Sequence, residues 1–333
     1  MTDPITSRAW SRRRALQATV ATAGLAALGV SAQSASTWPQ RPVKLVVGFP
    51  PGSSPDLMAR ALADPLAAVL GQPVVVDNRP GAGGNIAADL VAKATDGHTF
   101  GVMINGNMTI AKILNPATPY DPLTDLAPVS LLATAPLVLA AGPQVSGDAA
   151  AVLAAARAGG DRWNYGSPGI GTVAHIGMEM LKGAAGLQAV HVPYPGNPQV
   201  INAMVQGDVQ LALLPPGLAM PQVQGGKLRA VGLTSAGRST LVPQVASLAE
   251  SGLKGFQLEI WNAVAAPARM DPAHIRRVSA ALVDIVRRPD VRDRLFTLGW
   301  QVAGTSPEGL ANRVRLDTVR MQAVIERNQI RPQ

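Results

Sequence analysis

Short apolar runs alternate with amphipathic stretches of helical spacing along most of this chain, and few folds accommodate that alternation. Residues 43–47, 73–76, 100–104 and 137–141 are apolar or β-branched and short, as strands are. Between the first three, residues 56–70 and 86–94 place apolar side chains at helical intervals. A second series follows: helix 149–158, strand 163–166, helix 172–182, strand 189–192, helix 198–206, and strands 209–213 and 228–233. The last third adds a strand over 261–266 and helical stretches over 272–287, 289–298 and 307–325. Such an order predicts an α/β fold with parallel strand pairing. The chain has 333 residues and is 47% hydrophobic, enough for a large core. At about 150 residues per domain, two domains are expected.

The first 35 residues stand apart. Ser11-Arg12-Arg13-Arg14-Ala15-Leu16-Gln17 resembles a twin-arginine export signal and precedes an apolar stretch, 18–30, too short to span a membrane comfortably. Small residues follow at Ser31, Ala32, Ser34 and Ala35, as a signal peptidase requires. Residues 1–35 are therefore expected to be a cleaved export signal and the mature chain to be periplasmic. The usual aromatic is Ala15 here, which leaves the twin-arginine and general export routes both open. The formal net charge is +8; residues 1–35 carry four arginines and one aspartate, so the remainder is +5.

Several chemistries lack their residues. Cysteine is absent, which excludes disulfides, thiolate metal sites and a cysteine nucleophile. Twelve aromatics (five Trp, three Tyr, four Phe) and no Lys/Arg run interleaved with them argue against a nucleic-acid surface. His98, His175, His191 and His274 are isolated by long spacings, so no metal is expected. No Gly-x-Ser-x-Gly elbow is present. Asn78-Arg79-Pro80-Gly81-Ala82-Gly83-Gly84-Asn85 fits neither a dinucleotide fingerprint, because Ile86 stands where Gly or Ala is needed, nor a phosphate loop. It reads instead as a loop whose glycines permit tight packing.

Two loops share another grammar. Phe49-Pro50-Pro51-Gly52-Ser53-Ser54-Pro55-Asp56 leaves a strand and opens a helix, with Ser54 suited to the N-cap and Pro55 to the first helical position. Tyr165-Gly166-Ser167-Pro168-Gly169-Ile170-Gly171-Thr172 does the same, followed by His175. The first N–H groups of a helix have no internal partner, so each loop can present donors to an anion. Each also serves as a merely capped helix with a rigid turn.

Taken in order, these segments resemble a known family. Trp38-Pro39 with Arg41-Pro42-Val43, Phe49-Pro50-Pro51-Gly52 with Asp56, the stretch Asn78 to Asn85, and Tyr165-Gly166-Ser167 with Gly169, Gly171-Thr172 and His175 are its first signatures. His191-Val192-Pro193-Tyr194 with Gly196, and Gly226-Lys227-Leu228-Arg229-Ala230, complete the series. It is similar to that of the Bug receptors, the periplasmic solute-binding components of tripartite tricarboxylate transporters. The resemblance implies a two-lobed, type II-like periplasmic binding protein with a ligand cleft between its α/β lobes. Lobe 1 would comprise residues 37–137 and 258–333, and lobe 2 residues 138–257.

The implied ligand is a small carboxylate, handed to membrane transporter subunits by a monomer that needs no cofactor. Phe49, Ser53, Ser54 and Asp56 would line one wall, with Asp56 acting chiefly through its charge at the helix start. Asn105 and Asn107 would add amide donors. Ser167, Gly171, Thr172 and His175 would hold the anionic end, Tyr194 would close over the ligand, and Pro215 completes the set. Two departures leave the ligand open: Pro195 replaces the family's lysine, and Leu213-Leu214-Pro215-Pro216-Gly217 replaces an acid-bearing loop. A sensor that signals to a membrane receptor, and an enzyme using the same cleft, are the competing readings.

Overall fold

The computed structural model describes residues 38–331; the export segment expected over residues 1–35 lies outside the described residues. β1 (Val43–Val47) is buried at every position but Lys44 and pairs in parallel with β2 (Val74–Asn78) and β3 (Thr99–Ile104). α1 (Ser54–Leu70) and α2 (Asn85–Lys93) connect these strands. After β3 the backbone makes a π-helical turn, Gly106–Ile110, that runs into α3 (Ala111–Leu114). β4 (Leu126–Pro136) then leads to β5 (Val138–Ala141) with Leu137 alone between them. α4 (Ala149–Gly159), β6 (Asn164–Ser167), α5 (Val173–Ala185), β7 (Val190–Pro193) and α6 (Asn197–Gln206) follow. Next come β8 (Leu211–Leu214), α7 (Pro216–Gln224) and β9 (Arg229–Leu233). β10 (Glu259–Pro267), α8 (Pro272–Arg287), α9 (Pro289–Thr297), β11 (Gln301–Val302) and α10 (Pro307–Arg327) complete the chain.

The strands form two sheets, one of six in the order β11-β4-β10-β3-β1-β2 and one of five in the order β7-β6-β8-β5-β9. Both are mixed, which corrects the purely parallel expectation. β10 runs antiparallel to β3 and β4, and β5 antiparallel to β8 and β9. Burial on both faces gives these strands the same continuous apolar character whichever way they run, so composition cannot report direction.

The five-stranded sheet shows the period of two. Leu139, Ala141, Leu211 and Leu213 pack into one apolar cluster with Tyr165 and Ile176. Val138, Ala140, Ala212 and Leu214 pack into another on the opposite face with Val200 and Met204. In the six-stranded sheet, Val46, Met103, Trp261 and Ala263 share a core with Val91 of α2 and Val314 of α10.

The chain passes between the sheets at Leu137 and again after β9, and one buried residue ties the two passages together. Thr234 accepts from Leu137 N through its hydroxyl at 2.8 Å and donates that hydroxyl to Leu258 O at 2.7 Å. Its backbone bonds the same two residues, Thr234 N to Leu137 O and Leu258 N to Thr234 O. Glu259, opening β10, is braced by Arg313 of α10 at 2.7 Å, and Arg313 in turn holds Asp317 at 2.8 Å.

Candidate functional site

One cavity gathers the carboxyl ends of parallel strands from both sheets, where ligands of open α/β folds bind. Phe49 follows β1, Ile104 and Asn105 end β3, Pro168 follows β6 and Pro215 follows β8, and all line it. β10 contributes Ile260, Trp261 and Asn262, and Trp300 enters from the turn before β11. About 50 Å³ is open to the centre of a water molecule, room for a few water-sized groups.

Four helices begin at this wall. Ser54 and Pro55 open α1; Thr172, Val173 and Ala174 open α5; Asn197 opens α6; and Pro215 precedes α7. Their first N–H groups have no acceptor within the helix, and their dipoles place positive potential at the cavity. Not one lining residue is ionisable. Any charge in the cavity is therefore met by oriented dipoles, and those favour an anion.

Two polar side chains on the wall are unfinished. Ser54 is 6% exposed and its Oγ has no partner; Asn262 is 1% exposed and its Nδ2 has none. Native chains rarely leave such groups unpaired, since each costs about 1–3 kcal/mol when nothing meets it. Opposite Asn262 and Ala263 the ladder to β4 shifts register, their partners being Ala133 and Leu131. A bulge of this kind re-aims side chains next to binding sites.

Of the twelve residues expected at the site, Phe49, Ser54, Asn105, Thr172 and Pro215 line the cavity. Asn105 spends its amide on Glu259 O at 3.1 Å. Ser53, not Ser54, is the N-cap of α1, and its hydroxyl donates to Pro50 O at 2.6 Å instead of capping. Asp56 accepts from Gly52 N at 2.8 Å, from Arg60 Nε at 3.0 Å and from Asn78 Nδ2 at 2.9 Å. Burial opposes its ionisation, but those bonds from Arg60, Gly52 and Asn78 prevail and hold its carboxyl below the usual range. It shapes the loop rather than facing the cavity.

Asn107 is likewise internal, donating to Gly83 O at 3.0 Å and Asn85 Oδ1 at 2.8 Å. Ser167 and His175 lie beneath the second loop. Ser167 Oγ bonds His191 Nε2 at 2.7 Å, and the rings of Tyr165, His191 and His175 stack with centroids 4.8 and 4.3 Å apart. Burial, reinforced by neighbouring His191, lowers the His175 pKa to about 4, so the ring is neutral and supplies no cationic contact. Its Nδ1 accepts from Gly171 N at 3.3 Å, taking the N–H expected to face an anion. Gly171 and Tyr194 instead line a separate groove with Gly83, Asn85 and Ile170.

The glycines of the Asn78–Asn85 stretch serve packing, as expected. A Cβ on Gly48 would lie 2.5 Å from Gly84 Cα, and one on Gly83 2.5 Å from Ile170 O. Trp261, Asn262 and Trp300 escaped the sequence reading as site residues. Trp261 and Asn262 stand at the second crossing and Trp300 in the turn before β11, all more than 150 residues beyond Asn105, and no local motif marks them. Among the described residues, no group of three or more His, Asp or Glu could hold a metal ion, and no helix is long and apolar enough to cross a membrane.

The fold of two mixed sheets with a cavity at the strand ends is that of solved periplasmic binding proteins. The solved periplasmic binding protein BugD superposes with a TM-score of 0.84 at 28% identity over 89% of this chain and all of that one. MatC from Rhodopseudomonas palustris, solved with malate, gives 0.83 at 32% identity over 86% of this chain and 100% of its own. Rpa4515 of R. palustris, solved with adipate, gives 0.86 at 28% identity over 89% and 100%. BugT of Bordetella pertussis is 37% identical over 270 residues, 79% of this chain and 82% of that protein. Residues 58–330 match the tripartite tricarboxylate transporter family receptor, TctC. The chain belongs to that family of solute-binding receptors.

Proposed function

We propose that this chain is exported, loses residues 1–35, and captures a small carboxylate in the periplasm for the membrane subunits of a tripartite tricarboxylate-type transporter. The observation that carries this is the convergence of four helix starts on a cavity without an ionisable side chain. The malate and adipate bound by MatC and Rpa4515 support the ligand class.

The receptor acts as two lobes, residues 37–137 with 258–333 and residues 138–257, that close about crossings near 135–137 and 259–261. It works as a monomer, by capture without chemistry. Capture without chemistry is supported by the ionisable groups at the two loops, since Asp56 is consumed by Gly52, Arg60 and Asn78 and His175 is stacked and neutral.

Thermal unfolding with malate, succinate, adipate and citrate, set against sugars and alkylamines, tests the reading. A ligand at 100 times its Kd stabilises the native state by about 2.7 kcal/mol. At least one carboxylate should raise the unfolding temperature; stabilisation by sugars or amines alone would contradict the proposal.

A further inference from the structure

We infer that Asn262 sets the specificity of this cavity, selecting carboxylates that carry no amino group; the inference rests on the receptor reading above. Asn262 Nδ2 is buried and unpartnered at the cavity wall. An amide nitrogen only donates, so whatever completes it presents an acceptor. A carboxylate, carbonyl or hydroxyl oxygen does so, whereas an ammonium offers three donors and no acceptor.

The rest of the wall agrees. Ser54 Oγ, the other unpartnered atom, can donate or accept and does not discriminate. No Asp or Glu lines the cavity. The two acids closest in sequence to its wall are already engaged, Asp56 with Gly52, Arg60 and Asn78, and Glu259 with Arg313 at 2.7 Å. The Trp261 indole N–H is taken by Asp317 Oδ2 at 2.8 Å, so that side chain brings no free polar group to the wall. A buried ammonium would lose its hydration without a charged partner and would meet the positive ends of helix dipoles.

Calorimetric titration of the mature chain with matched pairs tests this: succinate and aspartate, glutarate and glutamate, adipate and 2-aminoadipate. In every pair that binds, the acid without the amino group should bind tighter by a factor of about ten or more, the scale of one hydrogen bond to a charged group. Asn262→Asp removes the donor and adds a carboxylate, so it should weaken the amine-free acid about tenfold and narrow or reverse the ratio. Equal or tighter binding of the amino compounds by the wild type overturns the inference while leaving the receptor reading intact. An unchanged ratio in folded Asn262→Asp overturns the role of Asn262. If that variant fails to fold, Asn262→Leu replaces it, and undiminished binding of the amine-free acid then counts against Asn262. Failure of every pair, and of malate and citrate, to bind folded wild type removes the receptor reading itself.

Discussion

Gly217, at the start of α7, and Gly299, just before β11, meet backbone to backbone. A Cβ on Gly217 would stand 2.0 Å from Leu298 O, and one on Gly299 2.3 Å from Gly217 N. Gly217 follows a strand of the five-stranded sheet and Gly299 precedes one of the six-stranded sheet, so no side chain fits where these segments touch. Gly83 comes close to the Ile170 carbonyl, and Gly196 to the Pro50 ring, at 2.5 and 2.9 Å for an added Cβ. Closure in the proposed two-lobe reading therefore depends on bare backbone at several points around the cavity.

Gly217→Ala should then hold the lobes apart. Carboxylate affinity is expected to fall by a factor of about ten or more, because the full set of contacts exists only when both walls meet. Scattering should show a ligand-saturated variant that stays larger than the ligand-saturated wild type. Normal affinity in calorimetry would mean that the contact yields easily.

Thr234→Val preserves shape but deletes the hydroxyl between Leu137 N and Leu258 O. Both groups are buried, so the loss should cost about 1–3 kcal/mol of stability. Urea unfolding measures it. A change under a few tenths of a kcal/mol would show that the backbone pairs of Thr234 suffice without its side chain.

Low pH should weaken the fold through His175. Its pKa is lowered from 6.5 to about 4 by burial and by His191, so between these values the unfolded chain binds more protons than the native one. Stability then rises with pH across that window, and its loss begins as pH falls below 6.5 and is complete near 4. The slope for one such group approaches about 1.4 kcal/mol per pH unit. His175→Gln should flatten it in urea titrations between pH 4.5 and 7. An identical slope in the variant would assign the pH dependence to other groups.

Most elements announce themselves in the sequence, and the exceptions have physical causes. The bounds of β1 and of α8 are those expected from their apolar spacing. β4 does not announce itself, since Pro128 and Pro136 break its pattern and a proline argues against a central strand. The structure accommodates Pro128 at a register shift against β10, where a ladder bond is already lost. α7 hides behind Pro215-Pro216, although a proline at the first helical position suits a helix start. The two loops that open α1 and α5 are legible as a candidate site because a cap, a proline and glycines are local signals. Asn262 is not, because one polar residue in an apolar strand becomes meaningful only when the fold leaves its amide unpaired.

A crystal structure of the mature protein with the carboxylate that stabilises it most tests the central claim most directly. The account predicts a carboxylate group at the starts of α1 and α5, within hydrogen-bonding distance of Ser54 Oγ or of the backbone at Val173 and Ala174, with Asn262 Nδ2 bonded to a ligand oxygen. Ligand lodged instead in the groove of Gly83, Gly171 and Tyr194, with Ser54 and Asn262 still unpaired, would contradict it.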